Sequence, residues 1–172
     1  MAKKKPNVVL TGFMASGKSS VGRLLASKRS LAFVDSDDLI VERHGSIEQI
    51  FATQGEDAFR EMERTVAEDL EGREGLVIAT GGRMMLDQYC ADALSSNGHV
   101  FCLSASIQEI QRRYAADEGG VVRPLLAGAD ETKLRRLYDE RAAAYSRFQQ
   151  VETEGRSIDE VVEQIELLLK NT

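Results

Sequence analysis

Gly12-Phe13-Met14-Ala15-Ser16-Gly17-Lys18-Ser19 is the stretch on which the reading of this sequence turns. It fits G-x-x-x-x-G-K-[ST] in full, and it lies between an apolar run at Asn7–Thr11 and a helical pattern at 18–28, the setting this motif requires. The spacing has a physical reason. Glycines at 12 and 17 let the backbone curl so that the N–H groups of Ala15, Ser16, Gly17, Lys18, Ser19 and Ser20 face one concavity, and the dipole of the following helix favours an anion there. The Lys18 ammonium reaches the β- and γ-phosphates of a nucleotide, and the Ser19 hydroxyl is a ligand for Mg²⁺. A chance glycine-rich turn would not need all of these residues at once. The loop specifies a phosphate donor and is silent about the acceptor.

Working outward, further short apolar runs at 31–34, Leu76–Ala79, 99–103 and, less distinctly, 148–151 read as buried strands. Between them lie helical patterns at 38–44, 46–53, 56–71, 87–94, 107–114, 131–148 and Ile158–Lys170, the last with Ser157 as N-cap. Strands alternating with helices imply a parallel sheet covered on both faces. No repeat and no linker divides the chain, which reads as one domain over residues 1–172, with 115–120 as its expected mobile loop.

Ligands of open α/β sheets gather at the carboxyl ends of the strands. Two clusters fall there. Asp35, Asp37 and Asp38 follow the second run; carboxylates so close repel one another and call for a cation or a donor-rich ligand. Asp38 is expected to cap the next helix; of Asp35 and Asp37, brought to one site by a local turn, one would help hold Mg²⁺ through water and the other would accept hydrogen bonds from substrate hydroxyls. Thr80-Gly81-Gly82 follows the third run, where adjacent glycines suit close backbone approach. Three arginines complete the set. Arg60 has Glu63 three residues on, within reach for a helical ion pair; Arg123 follows the expected loop, where it could close over phosphates; Arg141 alone would be read as lying on a solvated helix face.

Composition sets bounds. A net charge of −6 argues against a nucleic-acid surface, so the positive charge that ATP needs must be local. Two cysteines, Cys90 and Cys102, form no CxxC pair and read as reduced core thiols. No apolar run nears the roughly 20 residues of a membrane span, and the basic start at residues 1–6 does not continue as a signal peptide. A cytoplasmic protein with no nucleic-acid or membrane partner is expected.

Taken in order, Gly-Phe-Met-Ala-Ser-Gly-Lys-Ser at 12–19, Asp-Ser-Asp at 35–37, Phe-Ala-Thr-Gln-Gly-Glu-Asp-Ala-Phe-Arg at 51–60, Gly-Gly at 81–82, Arg-Pro-Leu-Leu at 123–126 and Arg141 ahead of Tyr145 resemble the shikimate kinase family over nearly the whole chain. The resemblance implies a three-layer α/β/α P-loop kinase fold like that of nucleoside monophosphate kinases. It would have a five-stranded parallel sheet, a helical substrate-binding segment at about 36–63 and a mobile lid at about 114–126. It implies a monomer that uses ATP and shikimate with Mg²⁺ as cofactor. Asp37, Arg60, Gly81, Gly82 and Arg141 would hold shikimate, the arginines on its carboxylate; Ser19 and Asp35 would serve the metal. Lys18 and Arg123 would stabilise the phosphates and, with Asp37, form the catalytic set, while Arg113 and Arg156 would lie near adenine. Two positions depart from the family pattern. Ala15 stands where the loop commonly has glycine, a mild change where its φ is negative. Arg83 replaces the third glycine of a Gly-Gly-Gly turn, where it could crowd the acceptor, add a carboxylate contact or point to solvent. Two acceptor-side arginines also suit gluconate or a nucleoside monophosphate, and a blocked acceptor site would leave a non-catalytic nucleotide-binding relative.

Overall fold

The computed structural model describes residues 5–116 and 131–172. Among them are five strands, β1 (Asn7–Thr11), β2 (Ala32–Asp35), β3 (Leu76–Ala79), β4 (Gly98–Ser104) and β5 (Gln149–Glu152), all parallel in the order β2-β3-β1-β4-β5. The described residues also form eight helices: α1 (Lys18–Arg29), α2 (Ser36–His44), α3 (Ile47–Thr53), α4 (Gly55–Glu71), α5 (Gln88–Ser96), α6 (Ile107–Ala116), α7 (Glu131–Tyr145) and, after the last strand, α8 (Ile158–Lys170). A 3-10 turn at Met84–Leu86 has no counterpart in the sequence reading. α7 ends at Tyr145 rather than 148, which removes the overlap with β5.

The period of two along the strands divides the core into layers. Val8 and Leu10 of β1, Val77 of β3, and Phe101 and Leu103 of β4 pack with Val21 and Leu25 of α1 and Val161 and Ile165 of α8. Val9 and Ile78 face the opposite way, toward Ile40, Ile50, Phe59, Val66 and Leu70 of α2–α4 and Ala91 and Leu94 of α5. A third cluster joins Phe13 and Met14 of the glycine loop to Ile107 and Ile110 of α6 and Leu134 and Tyr145 of α7. Strand β1 is therefore buried on both faces, as a central parallel strand requires.

The order matters for function. From β1 the chain crosses to β2, returns to fill β3 between them, then passes to the far side of β1 for β4. The register sets Leu10 beside Ala79 and Ala79 beside Asp35, so the chain leaves all three strands at one edge. Cys90 and Cys102 are buried and unpaired, their thiols pushed by burial up to about 12 and about 11. Among the described residues no helix is long and apolar enough to cross a membrane.

Candidate active site

The loop after β1 turns back on itself at Gly12, where φ is +138° and a Cβ would lie 2.4 Å from Leu103 O. No residue with a side chain fits. Lys18 Nζ donates to Gly12 O at 2.8 Å and Phe13 O at 3.0 Å, and Ser16 is buried beneath the loop. Ala15 adopts φ +57°. The condition under which alanine would be a mild replacement is not met, because this position uses the left-handed conformation that glycine takes without strain.

Asp35 ends β2 and caps α2. Its Oδ1 accepts from Asp37 N at 2.9 Å and Asp38 N at 3.4 Å, and its Oδ2 accepts from Ser19 Oγ at 2.9 Å. This corrects the expectation that Asp38 is the cap. Asp38 sits inside the first helical turn, where its own side chain is too far along to take the orphan N–H groups. The cap also supplies the local turn that brings Asp35 and Asp37 to one site.

Asp37 Oδ1 is buried without a hydrogen-bond partner among the described residues. Burial first, and repulsion by Asp35 second, push its carboxyl up to about 6, against the pull of Lys18. Gly81 explains how close the chain comes: a Cβ there would lie 2.7 Å from Asp37 Oδ1 and 3.1 Å from Glu63 Oε1. Gly81 N donates to the buried Ser36 Oγ at 2.9 Å, a contact that the sequence reading did not anticipate.

Arg60 is clamped on both sides. Its Nη1 donates to Glu63 Oε2 at 2.7 Å, and its Nε and Nη2 donate to Glu56 Oε1 at 3.3 and 3.0 Å. Burial pulls the guanidinium pKa down, but Glu63 and Glu56 hold it above its ordinary value. Glu63 is 2% exposed, and burial raises its carboxyl to about 7 despite Arg60. Arg141 is not on a solvated face: it is 4% exposed, with its guanidinium over the Phe13 ring at 5.4 Å. Nη1 lies 3.5 Å from Gly82 O, Nη2 is buried without a partner among the described residues, and burial lowers the pKa. Tyr145, one turn on, donates to the same Gly82 O. The i,i+4 spacing of Arg141 and Tyr145 was the one sequence signal that both face a common point.

One cavity of about 740 Å³ unites these groups. Ala15, Gly17, Lys18, Ser19, Ser20 and Arg113 line one end, with Asp35 and Asp37 in the middle. Arg60, Glu63, Gly81, Gly82, Arg83 and Arg141 line the other, beside the apolar side chains of Ile47, Phe51 and Phe59. Glu109 holds Arg113 at 2.8 Å, and Arg113 in turn donates to Ala15 O at 3.3 Å and Thr153 Oγ1 at 3.0 Å, tying α6 to the loop and to the segment after β5. Arg156 stands apart, exposed and donating to Gln164. Arg123 and most of the expected lid lie outside the described residues.

Known proteins can be set beside this geometry. The family model for shikimate kinase matches residues 14–170. The chain belongs to the shikimate kinase family. Shikimate kinase from Sulfurihydrogenibium sp. is 37% identical over 161 residues, covering 92% of this chain and 95% of the relative. That from Pseudoalteromonas atlantica is 40% identical over 169 residues, covering 96% of each. Among solved structures, shikimate kinase from Acinetobacter baumannii in complex with shikimate superposes with a TM-score of 0.88 at 34% identity, covering 98% of this chain and 95% of its own. Arg83, beside this end of the cavity, donates from Nη1 to Glu56 Oε1 at 2.9 Å, and its side chain is 44% exposed.

Proposed function

We propose that this chain transfers the γ-phosphoryl group of ATP to the 3-hydroxyl of shikimate, giving shikimate 3-phosphate and ADP. The observation that carries the reading is the two-ended cavity: a phosphate cradle at one end, buried arginines at the other, and a carboxylate with an unpartnered oxygen between them. The acceptor's carboxylate would lie against Arg60 and Arg141, whose orphaned Nη2 has the charge and burial for an anion. The backbone at Gly81 and Gly82 would border its ring.

Asp37 would accept a hydrogen bond from the reacting hydroxyl, orienting its oxygen toward the γ-phosphorus. As the new P–O bond forms and the bond to the β-phosphate oxygen breaks, the hydroxyl proton would pass to Asp37 and ADP would leave. A carboxyl raised to about 6 is poised for this near neutral pH. Lys18 would neutralise charge on the β- and γ-phosphates, with Arg123 joining from the lid, so positioning and electrostatics supply most of the acceleration. When bound, Mg²⁺ would supply neutralising charge to the nucleotide phosphates. Ser19 Oγ and Asp35 Oδ2, 2.9 Å apart, fit it as one direct ligand and one carboxylate acting through water. Among the described residues there is no group of three or more ligating side chains, and a nucleotide-bound Mg²⁺ needs none, since phosphates and waters complete its shell. Arg113, at the phosphate end of the cavity, would lie near adenine, with the exposed turn at Arg156 beyond the cavity wall as the other candidate.

A coupled ADP-release assay with shikimate, gluconate and AMP in parallel tests the reading. ADP is expected with shikimate alone. Turnover with either other acceptor instead, or ATP binding without turnover on any of the three, overturns it. Within the same assay, Asp37→Asn should lower turnover about a hundredfold or more while ATP still binds. Near-normal turnover in that variant would remove the role given to Asp37.

A further inference from the structure

The acceptor end of the cavity contains a conflict. An arginine receives a carboxylate best on a bidentate edge, with two parallel N–H bonds. On Arg60 the Nε/Nη2 edge is already taken by Glu56 Oε1, at 3.3 and 3.0 Å, while Nη1 is committed to Glu63. A ligand carboxylate arriving at Arg60 therefore meets a resident carboxylate on the edge it needs. Glu56 is ionised: hydrogen bonding from Arg60 and the charges of Arg60, Arg83 and Arg141 hold its pKa below the usual range. It would both compete for the guanidinium and repel the newcomer.

Arg83 supplies the way out. Its Nη1 donates to the same Glu56 Oε1 at 2.9 Å, from the turn after β3 rather than from α4. One carboxylate oxygen is thus shared between two guanidinium groups on separate elements. The pair is partly exposed, Arg83 at 44% and Glu56 at 39%, so both side chains have room to move. Arg60, at 19%, does not.

We propose that Arg83 is a positioning residue for acceptor binding, taking over the Glu56 carboxylate when the acceptor's carboxylate displaces it from Arg60. This rests on the shikimate reading above. Arg83 acts through Glu56 and touches no reacting atom; the large side chain at the third turn position is an ion-exchange partner rather than an obstruction.

Shikimate binding by calorimetry and steady-state kinetics on wild type, Arg83→Ala, Arg83→Lys and Glu56→Gln/Arg83→Ala tests this. Arg83 has φ −118°, so alanine is tolerated by the backbone. Arg83→Ala should raise the shikimate Kd and KM about fivefold, the scale of one partly exposed ion pair, with a smaller fall in kcat. Arg83→Lys should hold both within about twofold, since it keeps the charge. The double variant should recover most of the lost affinity, because without the Glu56 charge nothing contests Arg60. Unchanged or tighter binding in Arg83→Ala overturns the proposal, as does a double variant as weak as Arg83→Ala, which would mean that Arg83 contacts the acceptor or only braces the turn. Failure of wild type to bind shikimate at all would overturn the acceptor reading and this inference with it.

Discussion

Ala15 is held at φ +57°, and a left-handed residue with a Cβ costs about 1–2 kcal/mol. Ala15→Gly should release that strain, offset by the about 0.4–1 kcal/mol that a glycine gains in the unfolded chain. A net gain of roughly 0.5–1 kcal/mol corresponds to a Tm rise of about 2 °C in a chain of this size, readable by thermal unfolding of the ligand-free protein; a fall in Tm would mean that the loop needs alanine's stiffness more than it suffers its strain. Gly81→Ala should do the opposite to function. The new methyl lies 2.7 Å from Asp37 Oδ1, so the carboxylate must shift, and displacement of about 1 Å at a reacting group can cost as much as a hundredfold. Turnover should fall at least about tenfold with ATP affinity kept, and an unaffected rate would show that Asp37 tolerates displacement. The places of Lys18 and Ser19 at the cavity were legible because a complete local motif sets them. Arg141 taken alone was not. Its burial arises from Phe13, Gly82 and the packing of α7 on the glycine loop, contacts made across the fold.

At the level of elements, the strands and most helices followed from apolar runs and periodicity, with ends displaced by one to three residues where frayed turns blur the pattern. The start of α2 was the informative miss. Three aspartates within four positions offer equivalent capping chemistry, and only the backbone shows that Asp35, extended at φ −105° and ψ 125°, is the one outside the helix. Asp35 thereby serves two elements, capping α2 with Oδ1 and meeting Ser19 of α1 with Oδ2. Substitution can separate the duties. Asparagine caps about as well as aspartate, whereas alanine costs about 1 kcal/mol. Asp35→Asn should unfold in denaturant within a few tenths of a kcal/mol of wild type, and Asp35→Ala about 1 kcal/mol earlier. Both should require several-fold more Mg²⁺ for half-maximal turnover, since both lack the charge. If Asp35→Asn keeps the wild-type Mg²⁺ dependence, the carboxylate's only duty is structural.

For the molecule as a whole, periodicity told which faces are buried but not the order β2-β3-β1-β4-β5, because strand neighbours are chosen by pairings between distant segments. That order is what gathers the glycine loop, Asp35 and Gly81 at one edge, and it sets two acids beside them, Glu63 buried and Asp37 half-buried in the cavity wall. Asp37 and Glu63, both facing the Gly81 backbone, are held near pH 6 and pH 7 mainly by burial. Their unfolded values are 3.8 and 4.5, so between about pH 4 and pH 7 the folded chain binds more protons than the unfolded one. Their contribution is complete below about pH 4 and is lost as pH rises through 6 to 7. Asp37→Asn removes the Asp37 share. The variant's stability relative to wild type should climb across this window, reaching an advantage of about 2–3 kcal/mol by pH 8, the equivalent of the Asp37 displacement at 1.36 kcal/mol per pH unit. Denaturant unfolding of the ligand-free proteins at pH 5, 6.5 and 8 measures it. Groups with lowered pKa values, such as Glu56, Asp87 and Glu109, are common to both proteins and cancel in the difference. A substitution that cuts turnover would then stabilise the empty protein at high pH, the signature of a carboxylate kept in an unfavourable place for its chemistry. An advantage that stays constant from pH 5 to 8 would show that Asp37 ionises as readily in the cavity as in water.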